Sequence, residues 1–246
     1  MASKEITYNG HTFTLSYELV NPAQEKVLLV LHGWGSNKEV MKQAFGTLLP
    51  EYKHLYLDMP GFGKSSNDTI LTTEDYGKIV QHFLEAMGVA PQIAMGHSFG
   101  GKVATLLDTP CLVLLSSAGV ITEKPWSVKL KIATVKFLKP LGMTFIRDLF
   151  KSRDVEGMSH EMYETFKNVV DEDFEARFAE SQSKALCFWG KEDTATPLYT
   201  GEKIAGLIKG AQFYPLEGDH FFFLKHAGFI AQTITEQCTD QPKETR

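Results

Sequence analysis

Apolar positions in this chain fall into short unbroken runs, separated by segments in which they recur every three or four residues. Val27-Leu28-Leu29-Val30-Leu31 is the clearest run. Consecutive β-branched and aliphatic residues can all be buried only in a strand covered on both faces, as strands of parallel sheets are. Similar runs lie at 54–57, 92–95, 111–115, 184–189 and 212–215, and most of the intervals carry helical periodicity, as at 75–87 and 199–208. Strands alternating with helices imply crossover connections and therefore parallel pairing. Ahead of this series, Ile6-Thr7-Tyr8, then Asn9-Gly10, then the alternating stretch 12–17 predict a β-hairpin. Asn-Gly accepts the positive φ values that a type I′ turn requires.

One interval breaks the rhythm. Residues 121–183 hold no buried-strand run; Val128, Ile132 and Val135, and later Met162, Phe166, Val169 and Val170, stand at helical spacing. The pattern predicts an α/β fold with a mostly parallel sheet, an N-terminal β-hairpin and an inserted helical cap. The core would comprise 1–120 and 184–246, and the cap 121–183. Charge divides the cap: 121–155 carries eight Lys/Arg against three Asp/Glu, and 156–183 two against eight. Solvated helix faces account for such a split, and a docking surface for an anionic partner is the alternative.

The composition fits this picture. With 246 residues, 43% apolar and 22% charged, the chain suits one large α/β domain with an insertion, and it does not have the composition of a disordered, collagen-like or coiled-coil protein. The 25 basic residues against 30 acidic ones provide no global positive field, so nucleic acid is not an expected partner. Cys111, Cys187 and Cys238 are too few and too scattered for a disulfide framework and form no C-x-x-C pair. They point to a reducing compartment. The first ten residues lack a signal-like apolar stretch, and no apolar run approaches the roughly 18 residues of a membrane span. A cytoplasmic protein is the expectation.

Gly96-His97-Ser98-Phe99-Gly100 is the strongest chemical signal, because this G-x-S-x-G directly follows a predicted strand and directly precedes a helical pattern beginning near Gly101. A serine held between strand and helix sits on a tight, strained turn. Its flanking glycines are needed where a Cβ would collide with neighbouring backbone. The helix amino terminus offers N–H groups and a positive dipole end to a developing oxyanion. His32-Gly33-Trp34-Gly35 ends the first buried run and can aim an N–H at a bound carbonyl. The backbone N–H groups of Trp34 and Phe99 are therefore the expected oxyanion pair. His32 itself is expected to brace the loop. Residues 58–65, Asp-Met-Pro-Gly-Phe-Gly-Lys-Ser, suggest a phosphate loop, but Asp58 stands where that motif needs glycine. A structural turn with Asp58 bonded to nearby amides is the better reading.

In order and spacing, 32–35, 58–65 and 96–101 resemble the α/β-hydrolase superfamily, and the resemblance covers essentially the whole chain. It implies a triad running Ser, then Asp or Glu, then His. The acid then falls in the loop after the strand that follows the cap, 189–197, where Asp193 matches the family position and Glu192 is its close rival. The base falls on the loop after the last strand, at His220. The resemblance implies acyl transfer: His220 takes the proton of Ser98, Asp193 holds the imidazole tautomer, and water releases the acid. A serine nucleophile disfavours the relatives that form alkyl-ester intermediates. No cofactor is expected, and no metal, since neither H-E-x-x-H nor a Cys/His cluster at zinc spacing is present.

Only residues 102–110 separate Gly101 from the next strand, so the helix behind the nucleophile is expected to be unusually short for the family. Trp126, Phe137, Met143, Phe145, Phe150, Met158 and Met162 are available to line an apolar pocket. The expected activity is cleavage of carboxylic or thiol esters of small or medium apolar acyl groups. Within the superfamily the motifs are similar to the pimeloyl carrier-protein methyl-ester type. An acidic acyl-carrier protein is a candidate partner for Lys129, Lys131 and Lys136. Hydrolysis of C–C bonds in vinylogous diketo acids, and ligand binding with little turnover, are the alternatives.

Overall fold

The computed structural model describes residues 2–122 and 158–238. Eight strands form one sheet: β1 (Ala2–Tyr8), β2 (His11–Val20), β3 (Val27–Leu31), β4 (Lys53–Leu57), β5 (Ile93–His97), β6 (Cys111–Leu115), β7 (Lys184–Gly190) and β8 (Gln212–Leu216). Their order is β1-β2-β4-β3-β5-β6-β7-β8. The hairpin pairs antiparallel from Ala2 with Tyr17 to Tyr8 with His11, and β2 pairs antiparallel with β4. All the remaining pairs are parallel. The predicted fold class is the observed one.

Seven helices complete the described residues: α1 (Lys38–Phe45), α2 (Thr73–Met87), α3 (Phe99–Thr105), α4 (His160–Val170), α5 (Glu175–Glu180), α6 (Leu198–Leu207) and α7 (Phe223–Cys238). The two-residue period of a strand divides the core between them. On one face Leu29, Leu31, Leu55, Leu57, Leu112 and Leu114 pack with Ile79, Val80 and Phe83 of α2, Val103 of α3 and Ile204 of α6. On the other, Leu28, Val30, Met95, Val113, Leu115 and Phe188 pack with Met41 and Phe45 of α1 and Phe223, Ile230 and Ile234 of α7. Helices on both faces explain why β3 is buried at every position.

The sequence pattern marks neither α1 nor α7. Their signals are present: Asn37 caps α1 by accepting a hydrogen bond from Glu39 N at 3.0 Å, and Phe223, Ala227, Ile230, Ala231 and Ile234 form a helical stripe. Helix α3 begins at Phe99 rather than near Gly101 and is seven residues long, as short as expected. The scattered cysteines gave no hint of pairing, yet Cys111 at the start of β6 and Cys238 at the end of α7 form a disulfide with Cα atoms 5.9 Å apart. Cys187 is free and buried. Proximity across 127 residues of sequence comes from the fold and leaves no local trace. Helices α4 and α5 lie in the interval expected to form the cap. Trp126, Lys129, Lys131, Lys136, Phe137, Met143, Phe145 and Phe150 lie outside the described residues. Among the described residues no helix is long and apolar enough to cross a membrane.

Candidate active site

Strand order reverses at β3, which pairs with β4 on one side and β5 on the other. Crevices at the carboxyl ends of strands form at such a switch point. Ser98 occupies it, one residue beyond β5 at the amino terminus of α3, with φ 51° and ψ −116°. A non-glycine residue reaches that conformation only when its surroundings enforce it. Ser98 N donates to Leu115 O at 3.1 Å, and Ser98 O accepts from Gly101 N at 3.0 Å and Ala118 N at 3.1 Å. A Cβ on Gly96 would overlap the Gly100 carbonyl, and one on Gly100 would meet the carbonyl oxygens of His32 and Leu31. These are the close approaches expected of the two glycines.

The loop after β3 lies against this turn. A Cβ on Gly33 would come within 3.2 Å of Ser98 Cβ and 3.0 Å of His97 Nδ1, so the chain entering Trp34 runs flush beside the serine. Phe99 is the first residue of its helix, and a first-turn N–H has no acceptor within the helix. Around them, the Trp34 ring meets Phe62 at 4.8 Å, Phe99 at 5.5 Å and Phe166 of α4 at 5.4 Å between centroids. Its indole N–H is enclosed there with no hydrogen-bond partner among the described residues.

His32 is fully buried and holds the loop at both ring nitrogens. Its Nδ1 donates to Gly33 O at 2.8 Å and its Nε2 accepts from Met59 N at 3.1 Å. Burial lowers its pKa to about 4, so the ring is neutral and suited to this accepting role. Asp58 Oδ1 accepts from Lys38 N at 2.8 Å, and Oδ2 accepts from Lys64 N at 3.0 Å and from Lys38 Nζ. Burial would raise the Asp58 pKa, but these donors hold it below its usual value. Residues 58–65 are thus a turn organised by an internal carboxylate.

Beyond the ends of β7 and β8, Asp193 and His220 meet. His220 Nδ1 donates to Asp193 Oδ2 at 2.7 Å, while Asp193 Oδ1 accepts from Ala195 N at 2.8 Å and Thr196 N at 2.9 Å. Burial acts to raise the carboxyl's pKa, but His220, the Thr196 amide and Ser116 outweigh it and bring the value to about 2. Glu192 instead turns outward and accepts from Gly218 N. The structure pairs His220 with Asp193 and not with that rival. His97, beside Ser98, bridges to this pair: its Nε2 donates to His220 O at 3.0 Å and the two rings lie 4.6 Å apart. Burial, with the neighbouring His220, lowers the pKa of His97 to about 3.

Sequence reasoning missed the supporting contacts. It assigned His97 no partner, and it did not single out Thr196 or Lys102. Thr196 had a signal, since a carboxylate that caps amides two and three residues onward is a recognisable turn. Lys102 had none, for its partners Val169 O at 2.6 Å and Glu172 Oε2 at 2.7 Å lie in the distant α4 region. Among the described residues no group of His, Cys, Asp and Glu could hold a metal ion.

A doubly covered, mostly parallel sheet with a strained serine at its switch point, and a carboxylate-bound imidazole at the ends of β7 and β8, defines an α/β-class hydrolase. The chain belongs to the alpha/beta hydrolase family, whose model matches residues 27–232. It is 35% identical over 108 residues to a pimeloyl-[acyl-carrier protein] methyl ester esterase of Vibrio campbellii, an alignment covering 40% of each chain. It is 24% identical over 227 residues to the uncharacterized hydrolase YugF of Bacillus subtilis, covering 80% of this chain and 83% of that one. The enol-lactonase of Burkholderia xenovorans LB400 superposes with a TM-score of 0.74 at 19% identity, over 96% of this chain and 100% of the other.

Proposed function

We propose that this hydrolase cleaves carboxylic or thiol esters through an acyl-enzyme on Ser98. His220, with its Nδ1 proton committed to Asp193, has Nε2 free to accept the Ser98 proton as the hydroxyl attacks the ester carbonyl. The carbonyl oxygen becomes an oxyanion received by the backbone N–H groups of Trp34 and Phe99. His220 then protonates the departing alkoxide or thiolate. A water, deprotonated by the same imidazole, attacks the acyl-enzyme and releases the acid, returning the proton to Ser98. Every group required is supplied by the chain.

The observation that carries this reading is the His220–Asp193 bond at 2.7 Å, set beside a serine at φ 51° through the His97 bridge. The rings of Trp34, Phe62, Phe99 and Phe166 favour an apolar acyl group of small or medium size. The likeness to pimeloyl carrier-protein methyl ester esterases, which spans 40% of the chain, favours acyl groups presented on a carrier protein.

The test is a panel of p-nitrophenyl and methyl esters of increasing acyl length, assayed with wild type and Ser98→Ala. Turnover of the wild type and a loss on the order of 10⁴-fold in kcat for the variant are expected. Ser98→Ala with near wild-type turnover overturns the mechanism, and no hydrolysis of any ester overturns the substrate class.

A further inference from the structure

Thr196 stands where the acid and base of the proposed triad meet the end of β6. Its Oγ1 lies 2.9 Å from Asp193 Oδ2, 3.1 Å from Ser116 O at the end of β6, and 3.4 Å from His220 Nδ1. Its own amide, at 2.9 Å, occupies the other carboxylate oxygen. We propose that the Thr196 hydroxyl is a positioning residue for the acid–base pair, fixing the Asp193 carboxylate in the orientation from which it steers the His220 ring. This rests on reading Ser98, His220 and Asp193 as a catalytic triad.

A hydroxyl has one proton to give. Directed at Oδ2, it makes the second donor to the oxygen that also binds His220 Nδ1, and it restrains the carboxylate from rotating out of the imidazole plane. It also draws off part of the negative charge that would otherwise fall wholly on the ring. Directed at Ser116 O, it ties the acid loop to β6. In that second state the acid loop is fixed to the strand next to β5, which leads into Ser98. Thr196 is half-buried and forms part of the wall of a cavity of about 80 Å³ together with Ser117, Gly119, Val170 and Glu172. A methyl group in place of the hydroxyl would stand 2.9 Å from Asp193 Oδ2 and 3.1 Å from Ser116 O, so the valine variant removes the hydrogen bond at the cost of a small shift, and Thr196→Ala, which only removes atoms, is its control.

Among the described residues, the ionisable side chains in contact with the His220 ring are Asp193 and His97. His97 is held neutral by burial, so a change in the pH profile on altering Thr196 reports on the Asp193–His220 pair. Without the hydroxyl, Oδ2 carries more charge toward the ring and favours its protonated form. The acidic limb of kcat/KM should then move to higher pH. In Thr196→Val we expect kcat to fall about tenfold with KM nearly unchanged, as for a lost hydrogen bond to a charged group. The acidic limb should rise by about half a pH unit.

Thr196→Ser should restore both, and both variants should melt within a few degrees of wild type. Thr196→Val with wild-type kcat and an unmoved limb overturns the proposal, as does a folded Thr196→Ser that behaves like the valine variant. Should the valine variant not fold, Thr196→Ala, which only removes atoms beside the cavity, is judged by the same criteria. Ser98→Ala separates the two readings. Full activity in that variant discards the triad itself, whereas its loss alongside an unaltered Thr196→Val discards only the role of Thr196.

Discussion

Individual side chains here are specified by what the surrounding backbone leaves room for. Ser98 holds a conformation that costs an isolated residue on the order of 1–3 kcal/mol, and it is kept there by three backbone hydrogen bonds and two glycines. That much was legible, because G-x-S-x-G between a strand and a helix states both the strain and its relief. The companion residues were not. Lys38 illustrates why: its buried ammonium pairs with Asp58 and reaches Ser16 Oγ at 3.1 Å, which unites α1, β2 and the loop after β4. Nothing in the residues next to Lys38 announces partners 20 and 22 positions away. Lys38→Met would leave Asp58 with only its amide donors in a buried site. We expect a loss of about 3–5 kcal/mol, measured by urea unfolding. A change below about 1 kcal/mol would show that the amides alone suffice.

Helices α4 and α5 show how an inserted element is fastened to a finished sheet. Thr165 Oγ1 accepts from Leu71 N at 3.0 Å, Asn168 donates to Leu71 O at 3.2 Å, and Phe174 N donates to Gly119 O at 2.9 Å. Glu172 accepts from both Thr73 Oγ1 and Lys102 Nζ, and the Lys102 ammonium lies 5.6 Å from the rings of Phe99 and Phe174. Burial lowers the pKa of Lys102, and Glu172 opposes that shift. Helical periodicity located α4 correctly from Met162, Phe166 and Val169. It could not show that the helix capped by Ser98 also carries the cation that anchors α4. Glu172→Gln leaves this ammonium without its charge partner and should cost about 2 kcal/mol or more in thermal or urea unfolding. Adding Lys102→Met should recover much of that loss. Additive losses in the double variant would mean that the two side chains do not act as a pair.

At the scale of the molecule, the sheet and the family were legible in apolar runs and three motifs, because the inner parallel strands bury nearly every position and so advertise themselves. Helices α1 and α7 contain no such unbroken run; the signal of α7 is only the spaced stripe from Phe223 to Ile234. The interior also sets a pH dependence. Burial lowers the pKa values of His32 to about 4 and His97 to about 3, and lowers that of His54 from 6.5. The folded state keeps these rings neutral where the unfolded chain would protonate them. Their contribution to stability is therefore complete above pH 6.5 and is lost as pH falls toward 4. Asp193 adds the acid-limb loss only below 3.8, approaching its folded value of about 2. Stability should drop by about 2 kcal/mol or more per pH unit between pH 6 and 5, as measured by urea unfolding at each pH. Equal midpoints at pH 7 and 5 would contradict the neutral state of these rings.

The disulfide between Cys111 and Cys238 gives α7 an unusual boundary. Terminal helices ordinarily fray inward from their free end, and whatever precedes them loosens in turn. Here the far end of α7 is moored to β6, the strand beside the one that delivers Ser98, while its near end begins three residues after His220. The segment bearing the imidazole is thus enclosed between β8 and a helix anchored at its tail. Its local opening should be governed by rupture of the central sheet rather than by unravelling of α7.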